Sequence, residues 1–265
     1  MVNTESEVAL FLFNSSEYAV QPWLNAGIPC VSVDYDQTDH SGHTGRTGAT
    51  SEGHARLSID LSQEGAPLAV IRALKSQGLR PRFVLSFTPC TDLAVSGAAH
   101  FAKKRAKNPN FQLEALRMAQ VAETVAFFFG ARWAVENPVS VLSTLWRKPD
   151  YLFHPWQFAG YCPTGDHPEA PTLYPPQDRY NKKTCLWTGG GFKFPALAPL
   201  APLEHQNVGH TKLGGKSAKT KHLRSLTPRG VAQALFVANR DAFKVTPQSL
   251  LKTLKGAPDG TQAKD

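Results

Sequence analysis

Cys90 is the residue whose type and position best suit covalent chemistry. It follows Pro89 at the end of an apolar run, residues 83–87, that predicts a buried strand. Further along the chain, a second apolar run ends on Glu136 and Asn137. The carboxyl ends of parallel strands meet at one edge of an open α/β sheet, and the loops at that edge hold reactive groups. A thiol and a carboxyl group at two such strand ends indicate nucleophilic catalysis, although a structural thiol and a strand-end ion pair would give the same sequence.

The elements that would position these residues alternate between strands and helices. Apolar runs predict strands at residues 8–13, 30–36, 55–61, 83–87, 132–136 and 182–190. Amphipathic or apolar segments between them predict helices at residues 16–27, 66–78 and 112–129, and a polar, glycine-rich segment predicts a long loop at 37–54. This alternation predicts an α/β fold with a doubly wound, mainly parallel sheet, in which right-handed crossovers place the loops that follow the strands at one edge.

The sequence divides into four regions. Residues 1–146 form the predicted α/β core, where the cofactor and the catalytic groups would lie. Residues 147–222 are rich in proline, aromatic and basic residues and predict a small irregular lobe for binding substrate, which also contains the returning strand 182–190. Residues 223–245 predict a closing helix of the core, and the polar residues 246–265 predict a flexible tail.

Charge and composition limit the classes of function. The chain has 265 residues, a formal net charge of +8 and a pI near 9.4, which favour a polyanionic partner. No stretch approaches the roughly 20 apolar residues of a membrane span, and the first residues lack the basic region of a secretory signal, so we expect a cytoplasmic protein with no membrane partner. The four cysteines form no C-x-x-C pair, so neither a disulfide framework nor a metal site is predicted.

Polar residues at the ends of the first three predicted strands indicate a cofactor site. Asp34 stands at the end of the second strand, where a carboxylate can accept hydrogen bonds from ribose hydroxyls. Asp60 stands at the end of the third strand and would accept a hydrogen bond from an adenine amine. The first loop, residues 13–18, reads FNSSEY and lacks the glycines that a dinucleotide pyrophosphate requires. It therefore argues against a dinucleotide and allows a cofactor without phosphates, such as S-adenosylmethionine.

The order of five segments, FNSSEY, VDYD, IDL, TPCTDLAVSG and ENP, resembles the motif order of DNA cytosine-5 methyltransferases, especially short phage-encoded proteins of this kind. The resemblance covers residues 8–140 and implies a class I, Rossmann-like methyltransferase that transfers a methyl group from S-adenosylmethionine to C5 of cytosine in DNA. It implies that Cys90 adds to C6, that Glu136 contacts the base and that Asn137 orders the site. The implied S-adenosylmethionine site consists of Phe13, Asn14, Ser15, Ser16, Glu17, Asp34, Tyr35, Asp60, Leu61 and Pro89.

DNA is the partner that the resemblance implies, in the cytoplasm of a bacterial host if the chain is phage-encoded, and no obligatory protein partner is evident. Residues 101–108 are expected in a mobile loop that begins near Ser96 and Gly97 and closes over a flipped base. A flexible basic loop is expected at 205–230, followed by a helix capped by Thr227. The residues predicted to contact DNA are Lys103, Lys104, Arg105, Lys183, Lys212, Lys216, Lys219, Lys221 and Arg224.

Two other functions remain open at the level of sequence. One is an enzyme that uses the same cysteine addition on a free pyrimidine nucleotide or transfers another one-carbon group. The other is a catalytically degenerate methyltransferase fold that binds DNA. The basic residues at 205–230 favour a polymer over a nucleotide, and the combination of Cys90 with Glu136 favours an enzyme.

Overall fold

A sheet of eight strands organises the part of the chain that the structure, a computed structural model, describes: residues 5–14, 16–35, 48–51, 53–203 and 217–244. In spatial order the strands run β3-β4-β2-β1-β5-β6-β8-β7. Their bounds are β1 Ser6–Leu12, β2 Cys30–Asp34, β3 Gly48–Ser51, β4 His54–Ser58, β5 Leu79–Ser86, β6 Arg132–Pro138, β7 Tyr151–Phe153 and β8 Thr184–Gly189.

Five neighbouring strands, β4, β2, β1, β5 and β6, are parallel. The strand β3 is antiparallel to β4, and β8 is antiparallel to both of its neighbours, β6 and β7. The carboxyl ends of the five parallel strands therefore meet at one edge, which we call the active edge, and β8 begins at that edge. The predicted α/β fold with a mainly parallel sheet is confirmed.

Helices cover both faces of the sheet. They are α1 Gln21–Asn25, α2 Ala66–Ser76, α3 Phe101–Lys107, α4 Phe111–Phe129, α5 Leu142–Leu145, α6 Ala218–Ser225 and α7 Arg229–Asn239, together with short 3-10 helices at Glu17–Ala19, Val95–His100, Pro155–Tyr161, Pro176–Asp178 and Arg240–Ala242. Alternate residues of β1 enter opposite layers: Leu10 packs in the core with α2 and α4, and Phe11 packs in the core with α1 and α7. A strand that is buried on both faces must be apolar throughout, which is why β1 reads as a continuous apolar run.

Small residues set the position of α4. Its buried positions Ala115, Ala119, Ala122 and Ala126 let the helix axis approach the sheet closely. Gly130 ends the helix in the left-handed conformation with φ of 66°, where a side chain would be strained. The chain can then enter β6 directly, which carries Glu136 and Asn137 to the active edge.

Several predicted boundaries are wrong. The predicted helix 16–27 is a 3-10 turn followed by α1, which begins only at Gln21 because Pro22 lacks an amide hydrogen and fits only the first turn of a helix. The predicted loop 37–54 contains β3 and the start of β4, whereas residues 36–47 and 52 lie outside the described part of the chain. The predicted third strand 55–61 is β4, which ends at Ser58.

The lobe at 147–222 is irregular for much of its length, but it contains β7, which the sequence did not predict. The predicted closing helix at 223–245 is instead the end of α6, a short break and α7. Thr227 is not the cap of this helix. The Asp178 carboxylate reaches over from the lobe and accepts a hydrogen bond of 2.5 Å from the backbone N–H of Arg229.

Across the described ranges, no helix combines the length and the apolar character needed to cross a membrane.

Candidate active site

Cys90 lies just beyond the end of β5 at the active edge. Its side chain is exposed, whereas Cys30, Cys162 and Cys185 are buried. Asn137 of the neighbouring strand β6 is fully buried and donates a hydrogen bond of 2.9 Å from Nδ2 to the Thr88 carbonyl oxygen. This bond ties the end of β6 to the segment that leads into Cys90. Asn137 therefore lies where it can set the position of the thiol.

The turn after Cys90 is held by a helix. The Lys104 ammonium contacts the Thr91 carbonyl oxygen at 2.8 Å and the Asp92 carboxylate at 2.5 Å. The expectation of a mobile loop at 101–108 is wrong for the described state, because residues 101–107 form α3. Lys104 is committed to the turn by these contacts, whereas Lys103 and Arg105 on the same helix are exposed.

Ser96 and Gly97, where the mobile loop was expected to begin, lie in the 3-10 helix that precedes α3. Backbone hydrogen bonds close this region on itself: the Cys90 carbonyl oxygen accepts from the amides of Leu93 at 3.1 Å and Ala94 at 2.8 Å. The segment from Cys90 to α3 is therefore a folded unit that begins at the thiol.

Burial and nearby charges act on the Cys90 thiol in opposite directions. Burial by the surrounding protein raises its pKa, and the Glu136 carboxylate raises the pKa further. The cations Lys182 and Arg224 oppose these effects, but the net pKa stays above the ordinary value for cysteine. The exposed surface of Cys90 thus admits reactants although the surroundings disfavour the thiolate. The two cations with the largest effect on the sulfur come from the segment before β8 and from α6, whereas the cations nearest in sequence are on α3.

A pocket that is open to solvent lies beside Glu136. Apolar side chains form most of its wall, and a few polar groups enter it, as is usual for binding sites of small molecules and bases. The polar lining residues are Glu136, Lys182, Thr184, Ser225 and Thr227, and the apolar ones include Phe87, Phe153, Leu186 and Leu226. Lys183, which the sequence singled out, is exposed and does not line this pocket. The residue that enters it is its neighbour Lys182, which the sequence interpretation missed.

Polar side chains shape the first loop, where glycines were missing from the sequence. Phe13 leaves β1 in the left-handed conformation with φ of 53°. The buried Asn14 side chain accepts a hydrogen bond from the Ser16 amide at 3.4 Å, and the Ser16 hydroxyl accepts one from the Tyr18 amide at 3.3 Å. Ser15 lies outside the described residues. The turn is therefore fixed by its own side chains.

A chain of polar contacts runs from this loop across the sheet. Asn14 donates to the Ser32 hydroxyl at 3.2 Å, and Ser32 contacts His54 Nε2 at 3.0 Å. His54 Nδ1 lies 3.5 Å from the Glu17 carboxylate, which also pairs with Arg56. The hydrogen bond from His54 lowers the pKa of Glu17, and Arg56 adds to this effect against the opposing effect of burial. Glu17 was expected to bind cofactor, but its carboxylate is committed to this chain of contacts.

The side chains of the remaining predicted cofactor residues differ in their exposure to solvent. Asp34 ends β2 and accepts a hydrogen bond of 2.8 Å from the Tyr35 amide, and the Tyr35 ring is 69% exposed beside it. Pro89 is also exposed. Leu61, in contrast, is buried in the core with α2, so its side chain cannot contact a cofactor.

Asp60 follows β4 by two residues and forms a turn. Its carboxylate accepts hydrogen bonds from the Ser62 amide at 3.0 Å, the Ser62 hydroxyl at 2.6 Å and the Gln63 side chain at 2.8 Å. The hydrogen bond from the Ser62 side chain, followed by those from the Gln63 side chain and the Ser62 amide, lowers the pKa of Asp60. A carboxylate offers about four lone-pair sites, so this one retains capacity for a further donor.

The donor set at the active edge fits S-adenosylmethionine in chemical type. Asp34 offers acceptors for ribose hydroxyls, and the exposed Tyr35 ring offers a surface on which an adenine can stack. Asp60 is half-buried, and its carboxylate can accept from an exocyclic amine. The loop at 13–18 offers no glycine cradle for phosphates, which agrees with a cofactor that has none.

Part of the predicted basic loop is a helix. Residues 218–225 form α6, whose first turn is capped by the Ser217 hydroxyl. His222 of this helix lies 2.7 Å from the Glu169 carboxylate of the lobe. Burial raises the pKa of Glu169, and the hydrogen bonds from His222 and Tyr18 outweigh it and lower that pKa.

The predicted DNA contacts on this segment are only partly described. Lys219 and Arg224 are exposed on α6, the structure does not describe the Lys221 side chain, and Lys212 and Lys216 lie outside the described residues.

Aromatic residues that could have stacked on bases are engaged within the protein. The Trp146 ring stacks between Trp133 at 6.0 Å and the buried Trp187 at 6.3 Å. The Trp156 indole donates to Asn181. Within the described ranges, no group of three or more His, Cys, Asp or Glu side chains is placed to hold a metal ion.

Comparison with known proteins gives little further information. No protein-family model and no curated protein sequence matches the chain. One solved structure that it resembles is a 3-hydroxyacyl-CoA dehydrogenase type-2 from Mycobacterium avium, at 15% sequence identity and a TM-score of 0.30. The match spans 49% of this chain and 50% of the dehydrogenase. A likeness this partial supports no conclusion about activity.

Proposed function

We propose that the protein is a DNA cytosine-5 methyltransferase that uses S-adenosylmethionine. The observation that carries this proposal is the pairing of an exposed thiol with a carboxyl group at the ends of neighbouring parallel strands. Cys90 follows β5, Glu136 lies in β6 and lines an open pocket there, and the two side chains interact electrostatically. Such a pair suits the addition of a thiolate to an aromatic ring that must accept a proton or hydrogen bond at the same time.

The chemistry assigns a separate task to each residue. The Cys90 thiolate adds to C6 of cytosine, so the S–C6 bond forms as the C5=C6 π bond is lost and the electron pair moves through C4 to N3. The Glu136 carboxyl group donates a proton or hydrogen bond to N3, which leaves an enamine with a nucleophilic C5. When bound, S-adenosylmethionine would supply the electrophilic methyl group that C5 takes. Loss of the C5 proton and expulsion of the thiolate restore the ring and the enzyme.

The cofactor would be held at the ends of β1, β2 and β4. Asp34, Tyr35 and Asp60 offer the acceptors and the ring that an adenosyl group requires, and Asn14 shapes the first loop beneath it. The reversed strand β8 between β6 and β7 departs from the mostly parallel order of a dinucleotide-binding sheet, which favours this proposal over a dinucleotide-dependent enzyme.

DNA would approach the active edge between two positively charged flanks. Lys103 and Arg105 are exposed on α3, which contacts the turn after Cys90. Lys219 and Arg224 are exposed on α6, and Arg224 acts on the Cys90 thiol. Cations on both sides of a pocket can hold a phosphate backbone while one base is turned out of the stack into the pocket.

A mechanism-based trap tests this proposal. A duplex that contains 5-fluorocytosine is incubated with the protein and S-adenosylmethionine, and the products are separated by denaturing electrophoresis. Fluorine at C5 blocks the final elimination, so we expect a stable protein–DNA adduct that requires the cofactor. Cys90→Ser should form none, whereas Cys185→Ala, which removes a buried thiol of β8 that is also influenced by Glu136, should still form it.

Two results would contradict the proposal in different ways. If calorimetry detects no binding of S-adenosylmethionine, the methyltransferase assignment is wrong. If the cofactor binds but no adduct forms on any duplex or single strand, the protein acts on a free nucleotide or binds DNA without turnover.

A further inference from the structure

A small apolar cluster, separate from the two layers that cover the sheet, joins distant parts of the chain. Its members come from the first loop, the lobe, α6 and the residue after α6, and include Tyr18, Tyr174, Tyr180, Leu223 and Leu226. Leu226 is buried and also lines the pocket beside Glu136. The first loop and one wall of the pocket therefore pack against the same side chains of the lobe.

Glu169 of the lobe makes the polar contacts beside this cluster. Its carboxylate accepts a hydrogen bond from the Tyr18 hydroxyl and lies 2.7 Å from Nε2 of His222. Tyr18 belongs to the first loop, and His222 belongs to α6. One carboxylate thus contacts both elements at once. The ring of His167, also in the lobe, lies 5.2 Å from the Tyr18 ring and holds it from another side.

The wall of the pocket that α6 carries consists of residues 225–228, between α6 and α7. At its far end the wall is fixed firmly, because the buried Asp178 carboxylate accepts from the Arg229 amide at 2.5 Å and pairs with the Arg229 guanidinium at 3.2 Å. This end of the wall is therefore expected to stay in place when α6 moves.

The near end of the wall depends on more exposed contacts. The Tyr174 hydroxyl donates a hydrogen bond of 2.5 Å to the Leu223 carbonyl oxygen, and Glu169, whose side chain is 44% exposed, contacts His222. Segments that are held by solvent-exposed contacts open at lower free energy than buried ones. The end of α6 is therefore the part of the wall that can open, and Glu169 is the residue through which the first loop can influence it.

We propose that Glu169 is a positioning residue that connects the first loop to the pocket wall through α6. The connection exists in the free protein, whereas the identity of the two ligands, S-adenosylmethionine at the loop and a base in the pocket, rests on the proposed function. A ligand that fixes Tyr18 would fix α6 through Glu169. By linkage, a ligand that is held by the wall would favour the ligand-bound loop to the same degree.

Cleavage of α6 by trypsin tests the connection in the free protein. Lys219 and Arg224 are exposed on α6, and cleavage after either residue requires local opening of the helix. When opening and closing are fast, the cleavage rate follows the population of the open form. Mass spectrometry measures this rate for each site. Cleavage after Arg72, exposed on α2, is measured in the same samples and reports opening elsewhere.

The variants remove the bonds of Glu169 separately and together. Glu169→Ala removes both and should speed cleavage of α6 by about fivefold or more, with no change after Arg72. Tyr18→Phe keeps the ring in the apolar cluster and should speed cleavage of α6 by about twofold, although the lost hydroxyl bonds to Glu169 and not to α6. In the Glu169→Ala background, Tyr18→Phe should add nothing.

Two further variants serve as controls. Glu169→Gln keeps one acceptor oxygen for His222 or Tyr18, so its rate should lie between those of the wild type and Glu169→Ala. Glu64→Ala removes an exposed carboxylate that lies 4.0 Å from Arg117, and it should cleave at the rate of the wild type.

An unchanged rate for Glu169→Ala would overturn the inference. So would a Tyr18→Phe effect that is as large in the Glu169→Ala background as in the wild type, because the hydroxyl would then act by another route. If Glu169→Ala speeds cleavage after Arg72 as much as cleavage of α6, the whole protein has been loosened. Glu169→Gln and Tyr18→Phe then decide, and wild-type rates in both are the contrary result.

Calorimetry extends the test to the two ligands. A DNA duplex should tighten the binding of S-adenosylmethionine to the wild type by about fivefold or more, and Glu169→Ala should lose most of this coupling while it still binds each ligand alone. Equal coupling in the two proteins would contradict the inference. If S-adenosylmethionine does not bind at all, the methyltransferase proposal fails, and the cleavage rates still decide whether Glu169 connects the loop to α6. The two failures are therefore distinguishable.

Discussion

Asn137 links the two strand ends that carry the reactive groups. It is fully buried, so its hydrogen bond to the Thr88 carbonyl oxygen forms where water cannot replace it. Removing one partner of a buried hydrogen bond typically costs about 1–3 kcal/mol. We expect Asn137→Ala to lower the free energy of unfolding by about this amount in urea titrations. Asn25→Ala, which removes an exposed hydrogen bond within α1, should change it by less than about 0.5 kcal/mol.

The trapping experiment separates a positioning role of Asn137 from a purely structural one. If Asn137 places the thiol, folded Asn137→Ala should form the 5-fluorocytosine adduct far more slowly at temperatures well below its unfolding transition. An adduct rate equal to that of the wild type would mean that the buried bond serves stability alone.

The sequence could identify Cys90 and Glu136 as candidates, but it could not choose between Lys182 and Lys183. Successive residues of an extended segment point to opposite faces, so a shift of one position moves a side chain from the pocket to solvent. The apolar residues predict a strand that begins at residue 182, whereas β8 begins at Thr184. The register that brings Lys182 into the pocket comes from pairing with β6, which is not written in the local sequence.

At the scale of elements, the polar contacts beneath the first loop join β1, β2, β4 and the 3-10 helix at 17–19. Ser32 lies at their centre, because its hydroxyl contacts both Asn14 and His54. Glu17 ends the chain of contacts with a carboxylate whose pKa is lowered by the hydrogen bond from His54 and by Arg56. A lowered pKa means that the ionised form is preferred in the folded state. The carboxylate of Glu17 therefore stabilises the fold at pH values above its pKa in the unfolded chain.

The pH dependence of stability checks this contribution. Because the folded-state pKa of Glu17 is the lower one, the stabilisation is present at neutral pH and is lost as the pH falls through about 4 and below. Glu17 is half exposed, so the size should be at most about 1 kcal/mol at low salt. We expect Glu17→Gln to be less stable than the wild type at pH 7, and we expect this difference to shrink as the pH falls below about 4. A difference that is constant from pH 7 to pH 3 would show that packing, and not charge, is responsible.

Local sequence patterns predicted the strands and helices that are buried and therefore strongly apolar. The strands β1, β2, β5 and β6 and the helices α2 and α4 follow from apolar runs and helical periodicity. The sequence did not predict the strands β3 and β7, because they are short and because their register comes from pairing with β4 and β8.

The sequence did not predict the helices α3 and α6, for a different reason. Each has a mainly polar and basic sequence, and the contacts that hold them, from Lys104 to Asp92 and from His222 to Glu169, lie outside the helices themselves. The cap of α7 likewise comes from Asp178, far away in sequence, so Thr227 was the only candidate that local reasoning could offer.

At the scale of the whole molecule, the position of the basic residues decides which of them can contact DNA at the active edge. The helix α3 begins near the active edge and contacts the turn after Cys90, so its exposed residues Lys103 and Arg105 flank the pocket. The helix α2 runs from the active edge to the start of β5, so Arg72 and Lys75 near its end lie toward the opposite edge of the sheet. Both pairs contain one lysine and one arginine, and all four side chains are exposed.

This symmetry allows a matched test of where DNA binds. Each phosphate contact contributes roughly 0.9 to the slope of log affinity against log salt, because a bound counterion is released. The double variant Lys103→Gln, Arg105→Gln should weaken binding to a duplex and reduce the slope by about 1–2, measured by fluorescence anisotropy between 50 and 200 mM salt. The double variant Arg72→Gln, Lys75→Gln removes the same net charge and should leave the slope unchanged. If both double variants lose the same DNA affinity and slope, DNA responds to the net charge of the molecule and not to the active edge. The proposed approach of a base to Cys90 between α3 and α6 would then have to be abandoned.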